Sequence, residues 1–208
     1  MEYLNKYNCK RLTGYPFADI LRLSGILGIH SAEELKSISV IYSQIDIEGR
    51  IVTVEFQTDL LDEFIIRINL ADKTIKDEKF FSSGKKKGIS FDWLVCQIET
   101  AKKLGFTRIS LDAYKEKGNP KITGYIVWGR YGFVMTAKKD KLYFKNKMKE
   151  LYDNQVISTN YRNLFELLHS KDANVWGDEH GIDWLGEFDL SPSSASTKNF
   201  EKLKKKRL

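Results

Sequence analysis

Hydrophobic periodicity changes sharply near residue 83 of this 208-residue chain, and that change limits what the chain can fold into. Between residues 37 and 82, apolar and polar residues mostly alternate. Ile38, Val40 and Tyr42 alternate with Ser37, Ser39 and Ser43; Val52, Val54 and Phe56 share one face; Phe64, Ile66 and Ile68 share another. A period of two sorts side chains onto the two faces of a strand. Glu48-Gly49 and Ala71-Asp72-Lys73 supply turns between these runs, Asp59 to Asp62 interrupts them, and Thr74 to Ser82 ends the series. Successive strands joined by short turns predict an antiparallel meander. After Gly84-Lys85-Lys86-Lys87-Gly88-Ile89-Ser90 the apolar residues fall at Phe91, Leu94, Val95, Ile98 and Ala101. That spacing is one stripe of a helix. Lys102 and Lys103 suit its last turn, where positive charge complements the dipole, and Gly105 suits the left-handed position beyond it. Arg108 to Ala113 reads as the next strand.

Together these segments predict an α/β (α+β) domain with a mixed, mostly antiparallel sheet flanked by helices. The flanks carry weaker signals. Pro16 to Leu23 reads as a short helix, and Ser31-Ala32-Glu33-Glu34 as a capping box opening another. Ile122 to Tyr131 reads as a helix ended by Gly132. Phe133 to Thr136 and Lys141 to Phe144 read as a strand pair. Helical patterns follow at 145–152 and 161–169, a last short strand at 186–190 and a terminal helix at 197–206. Residues 1–144 are therefore expected to form the α/β domain, with its core at 37–136, and residues 145–208 a helical extension.

Composition narrows the partners. The net charge is +6, which favours anionic ligands. No apolar run approaches the roughly 20 residues that span a bilayer, so no membrane partner is expected. The first eleven residues are polar and unlike a signal peptide. Cys9 and Cys96 read as free thiols of a reducing compartment, which implies a cytoplasmic protein. Basic residues are not interleaved with aromatics as in an RNA-binding strand, so nucleic acid is a minor reading. The basic tail, Lys204 to Arg207, reads as a solvated terminus. Asp178-Glu179-His180 with Asp183 fits no metal-ligand spacing, and no metal is expected. Trp176, Trp184 and Phe188 read as a small satellite core. His30 reads as a loop residue.

Residues 84–90 are the candidate binding element. Glycine permits backbone angles that let successive N–H groups converge on one anion. The first turn of a helix adds free donors and a partial positive charge, a ready seat for pyrophosphate. The competing reading is a lysine-rich connection with no ligand.

The order of elements favours the binding reading. Meander, glycine-containing loop, helix, strand, short helix and a Gly-Phe opening another strand resemble the GNAT superfamily of acyl-CoA N-acyltransferases. Lys85-Lys86-Lys87-Gly88-Ile89-Ser90 resembles that family's phosphate loop, Gln/Arg-x-x-Gly-x-Gly/Ala, with lysine first and serine last. Residues 101–109 resemble its helix end and next strand, and Tyr131-Gly132-Phe133 its Gly-Phe. The resemblance implies acetyl-CoA or another acyl-CoA as co-substrate. Its pyrophosphate would lie on Lys85, Lys86, Lys87, Gly88, Ile89 and Ser90, and its pantetheine arm between the strand ending near Phe81 and the strand from Arg108. An amine, from a small molecule or a protein, would attack the thioester. Glu78 is the candidate base and Glu55 the other strand carboxylate. The family places a tyrosine, its general acid, where this chain has Trp128, and an indole cannot protonate a thiolate. Tyr125 and Tyr131 are the nearby candidates. The departure leaves open a degenerate relative that binds a ligand or a protein without turnover.

Overall fold

The computed structural model describes residues 2–30, 42–82, 88–114, 124–177 and 179–207. The helix expected after Ser31 and the alternation expected from Ser37 to Val40 lie outside the described residues. The described residues form an α+β fold in which the strands make a mixed sheet with helices beside it. The chain divides into two compact units, Met1–Ile109 and Ser110–Leu208. The stretch expected as an extension, 145–208, falls with 110–144 in the second unit.

The first unit opens with β1 (Glu2–Tyr3) and three short helices, α1 (Cys9–Thr13), α2 (Phe17–Leu23) and α3 (Ile26–Ile29). The meander follows as expected: β2 (Tyr42–Glu48), β3 (Ile51–Gln57), β4 (Leu61–Asn69) and β5 (Thr74–Ser82). Each strand pairs antiparallel with the one before it, and β1 pairs with β2. The two-residue turn between Glu48 and Ile51 needs a left-handed residue, and Gly49 supplies it at φ 60°. One face of this sheet is apolar and sealed: Val52, Val54, Phe64, Ile66, Ile68 and Ile75 are buried.

The helix α4 (Ile89–Lys103) is part of the cover on that face. Its end is a Schellman motif. Gly105 is left-handed at φ 74°, its N–H bonds Lys102 O, and the N–H of Phe106 bonds Ala101 O. The buried stripe is wider than the sequence spacing predicts. Trp93 and Gln97 join Phe91, Leu94, Ile98 and Ala101 inside, while Val95 is only half-buried. The reason is that α4 is covered from a second side, by α2 and α3. Those helices approach closely: a Cβ on Gly25 would lie 2.2 Å from the Trp93 indole, and one on Gly28 would lie 2.3 Å from Asp92 O. Trp93 packs edge-on against Phe64 at 6.2 Å and lies tilted against Phe80, with ring centres 4.6 Å apart. A fully buried side chain such as Phe64 contributes about 1.5–3 kcal/mol.

Beyond α4 the chain enters β6 (Arg108–Ala113). Thr107, just before β6, donates its N–H (2.8 Å) and its hydroxyl (3.2 Å) to the carbonyl of Lys73, just before β5. The two strands thus begin side by side, at either end of the α4 crossover.

The second unit holds Ser110–Ala113 of β6, then α5 (Gly124–Arg130), β7 (Val134–Met135), α6 (Lys138–Asp153), α7 (Leu164–Leu168), a 3-10 turn (Ala173–Trp176), β8 (Trp184–Asp189) and α8 (Ala195–Arg207). One expectation fails here. Lys141 to Phe144 is not a strand partner for β7 but the second turn of α6. Phe144, Met148 and Leu151 recur at helical spacing and are buried together, so period 3.6 prevails over the short local alternation. β7 instead pairs antiparallel with β8, placing Val134 opposite Glu187. The helix at 161–169 contracts to α7, because Asn163 caps it by accepting from the N–H of Glu166 at 2.9 Å.

The aromatic residues of the second unit form a core rather than a satellite. Phe133 meets Phe188 at 5.5 Å, Phe188 meets Phe200 at 5.7 Å, and Trp176 meets Phe144 at 5.2 Å. Cys9 and Cys96 are free, as expected.

Candidate functional site

The start of α4 is where the sequence places a binding element. Gly88 precedes the helix in the left-handed conformation, φ 82° and ψ −6°. Its carbonyl accepts from Phe91 (2.9 Å) and Asp92 (3.3 Å), which starts the helical ladder there. Phe91 and Asp92 of the first turn thus commit their N–H groups to Gly88. A Cβ on Gly88 would meet no atom of the described residues within 4 Å. Ile89 is buried and anchors the turn to the core, while Ser90 is half-buried. Lys85, Lys86 and Lys87 lie outside the described residues.

The β4–β5 ladder leading to this turn is irregular at two points, between Leu61 and Glu63 and between Ile65 and Ile66 of β4. Ile65 of β4 pairs with Lys79 but Ile66 pairs with Asp77, so Glu78 is an extra residue, a β-bulge. The bulge resets the alternation. Without it Phe80 would face away from α4; with it, Phe80 sits opposite Phe64 and on Trp93. Glu78 itself projects to the other face. There its carboxylate pairs with Lys76 at 3.2 Å and Arg67 at 3.5 Å. Glu55 lies on β3 opposite Ile65, on the same outer face as Glu78. The fold therefore does not bring Glu78 to the face that α4 covers. Phe81 is half-buried at the end of β5, opposite Glu63.

The remaining candidates belong to the second unit. The Tyr125 ring is buried and packs so closely on Gly181 that a Cβ there would lie 2.3 Å from it. The Tyr125 carbonyl accepts from the Trp184 indole at 2.9 Å. Trp128 is buried between Tyr131 (6.0 Å) and Phe133 (5.9 Å), and Tyr131 is buried too. All three are parts of an aromatic core.

The sequence reading missed a buried polar pair. Asp77, on the inner face of β5, and Gln97, on the buried stripe of α4, are joined by a hydrogen bond from Gln97 Nε2 to Asp77 Oδ1 at 2.9 Å. Both positions were legible: Asp77 follows Ile75 at strand spacing, and Gln97 follows Leu94 at helix spacing. Burial pushes the Asp77 carboxyl up to about 8, against a smaller opposing effect of the Gln97 bond. His30, read as a loop residue, is also buried, with Nε2 3.4 Å from the Thr58 hydroxyl.

In the second unit a shallow groove of about 620 Å³ is lined by Tyr152, Val156, Ser158, Lys171 and Asp172 among others. Asp172 is held below the usual carboxylate range, first by the backbone N–H of Ser158 and then by the hydroxyls of Tyr161 and Ser158. Burial lowers His169, and Lys206 and Arg130 add to that, against the opposing bond to the Phe165 carbonyl. Asp178 lies outside the described residues. Among the described residues no group of three or more His, Cys, Asp or Glu is placed to hold a metal ion, and no helix is long and apolar enough to cross a membrane. The chain matches no protein-family model, no curated protein sequence and no solved structure.

Proposed function

We propose that this chain binds an acyl-CoA and transfers its acyl group to an amine. One observation carries the reading: a left-handed glycine leads straight into a 15-residue helix that crosses from β5 to β6. A helix start of that kind, following an antiparallel meander, suits a pyrophosphate. The three lysines before Gly88 add attraction that weakens with salt.

In this reading the amine nitrogen attacks the thioester carbonyl, the C–S bond breaks, and the thiolate leaves as CoA. A base must take the amine proton. Glu78 is the candidate, and because Lys76 and Arg67 already hold its carboxylate it would act through a bridging water. The oxyanion needs a backbone donor, and the irregular pairing at the β5 bulge favours such a donor there. Trp128 offers the thiolate no proton. Tyr125 and Tyr131 are poorly suited as acids because both rings are buried, so the leaving thiolate takes its proton from water.

The burial of Trp128 and the paired state of Glu78 favour a second reading, a domain that binds acyl-CoA or a protein without turnover. A calorimetric titration with acetyl-CoA, followed by a thiol-release assay over a panel of amines, tests both. Binding with release supports the transferase. Binding without release on any amine favours the second reading. No binding at low salt removes the acyl-CoA assignment.

A further inference from the structure

Asp77 and Gln97 face each other across the β5–α4 contact, 4% and 0% exposed. One hydrogen bond joins them, and two polar atoms remain without a partner: Asp77 Oδ2 and Gln97 Oε1. With an ionised Asp77 both leftover atoms are acceptors, and both are sealed from water. An ionised carboxylate in such a place, with one neutral donor, is heavily penalised. Among the described residues no cation compensates. The register partner of Asp77 is Ile66, and the flanking α4 residues Trp93, Leu94, Ile98 and Ala101 are apolar. The charged chain neighbours, Lys76 and Glu78, pair with each other on the opposite face. A single proton on Oδ2 removes the problem. It turns one orphan acceptor into a donor and gives the other orphan a partner.

We infer that Asp77 keeps its proton and donates it from Oδ2 to Gln97 Oε1, closing an acid–amide pair that clamps β5 onto α4. Two hydrogen bonds then run in opposite directions between the same two side chains, and neither side chain carries charge. Ionisation breaks one of them and sets two oxygens against each other. The clamp therefore loosens as pH rises through about 8. Gln97 sits on the same helix that Gly88 opens, so a loosened clamp frees α4 to shift against β5. This last step rests on the acyl-CoA reading: it makes cofactor affinity fall across that pH.

The unfolded carboxyl titrates near its ordinary 3.8. Between that value and about 8 the folded chain binds one proton more than the unfolded chain. The Asp77 contribution to stability is thus complete at low pH and falls as pH rises, by up to about tenfold in the folding constant per unit, levelling off above about 8. Asp77→Asn is the informative variant, because its amide offers the same donor and acceptor without titrating. The stability of wild type relative to Asp77→Asn should fall from pH 5 to pH 8 and become flat above pH 9. A constant difference across that range overturns the clamp. If the variant does not fold, the side-chain carboxyl ¹³C shift of Asp77 in the wild-type chain decides: a protonated value at pH 6.5 supports the clamp, and an ionised value overturns it. Acetyl-CoA is then titrated at pH 6.5 and pH 9. Weaker binding at pH 9 in wild type but not in Asp77→Asn supports the coupling. Equal wild-type affinity at both values overturns the coupling. No binding at either value, with Asp77 still titrating high, removes the acyl-CoA reading and leaves the clamp standing.

Discussion

The indole N–H of Trp93 donates to the carbonyl oxygen of Ser24 at 2.7 Å, tying α4 to the junction of α2 and α3 inside the first unit. The next residue, Gly25, is left-handed at φ 80° and leaves the space the indole fills. Trp93→Phe strands a buried acceptor and opens a gap beside Phe64 and Phe80. It should lower unfolding stability by about 2–4 kcal/mol, read from urea unfolding. A loss below about half of one hydrogen bond's typical 1 kcal/mol would contradict the packing described. Gly25→Ala should be worse, since it adds left-handed strain to a clash with the indole.

Gly88 offers a test that separates strain from ligand contact. A Cβ there meets no atom of the described residues, so Gly88→Ala loses stability through the left-handed angle, about 1–2 kcal/mol. Gly88→Asn should lose less, because asparagine tolerates that region. Both hang a side chain over the first turn of α4. If acyl-CoA phosphates seat there, each variant should weaken acetyl-CoA binding by at least about tenfold, or 1.4 kcal/mol. Unchanged affinity in a folded Gly88→Asn chain would remove the phosphate seat.

Asp172 should shape the acid limb of stability. Its carboxyl is depressed, so its contribution is present above the ordinary aspartate range and is lost as pH falls below about 4. Wild type should exceed Asp172→Asn in stability near neutral pH, and the gap should close on acidification. A gap that widens below pH 4 would mean the carboxylate is not the group that Ser158 and Tyr161 hold.

The cap of α7 carries a smaller effect. Asn163 accepts from Glu166 N–H, and the Glu166 carboxylate returns a bond to the N–H of Arg162 at 3.2 Å. Asn163→Ala should cost about 1 kcal/mol and Asn163→Ser much less. Thermal unfolding of the two variants side by side checks this, and equal losses would argue against the cap.

Local pattern was enough for some of this protein. The alternation of Val52 to Phe56 and of Phe64 to Ile68, the stripe from Phe91 to Ala101 and the stop at Gly105 each depend on neighbours within a few residues, and each gave the expected element. Contacts distant in sequence decided the rest. The bulge at Glu78 exists because Ile75, Asp77 and Phe80 must all face α4, although Asp77 and Phe80 are three residues apart, an odd step that strand geometry sends to opposite faces. β7 is two residues long and too short to announce a partner, so its pairing with β8 followed from burial of Phe133 and Phe188. The candidate site divides the same way. Gly88 before the Phe91 helix was visible as a motif, whereas the Asp77–Gln97 pair required β5 and α4 to be packed face to face. A sequence records which side chains prefer burial; which polar atoms end up sharing that burial depends on the three-dimensional packing.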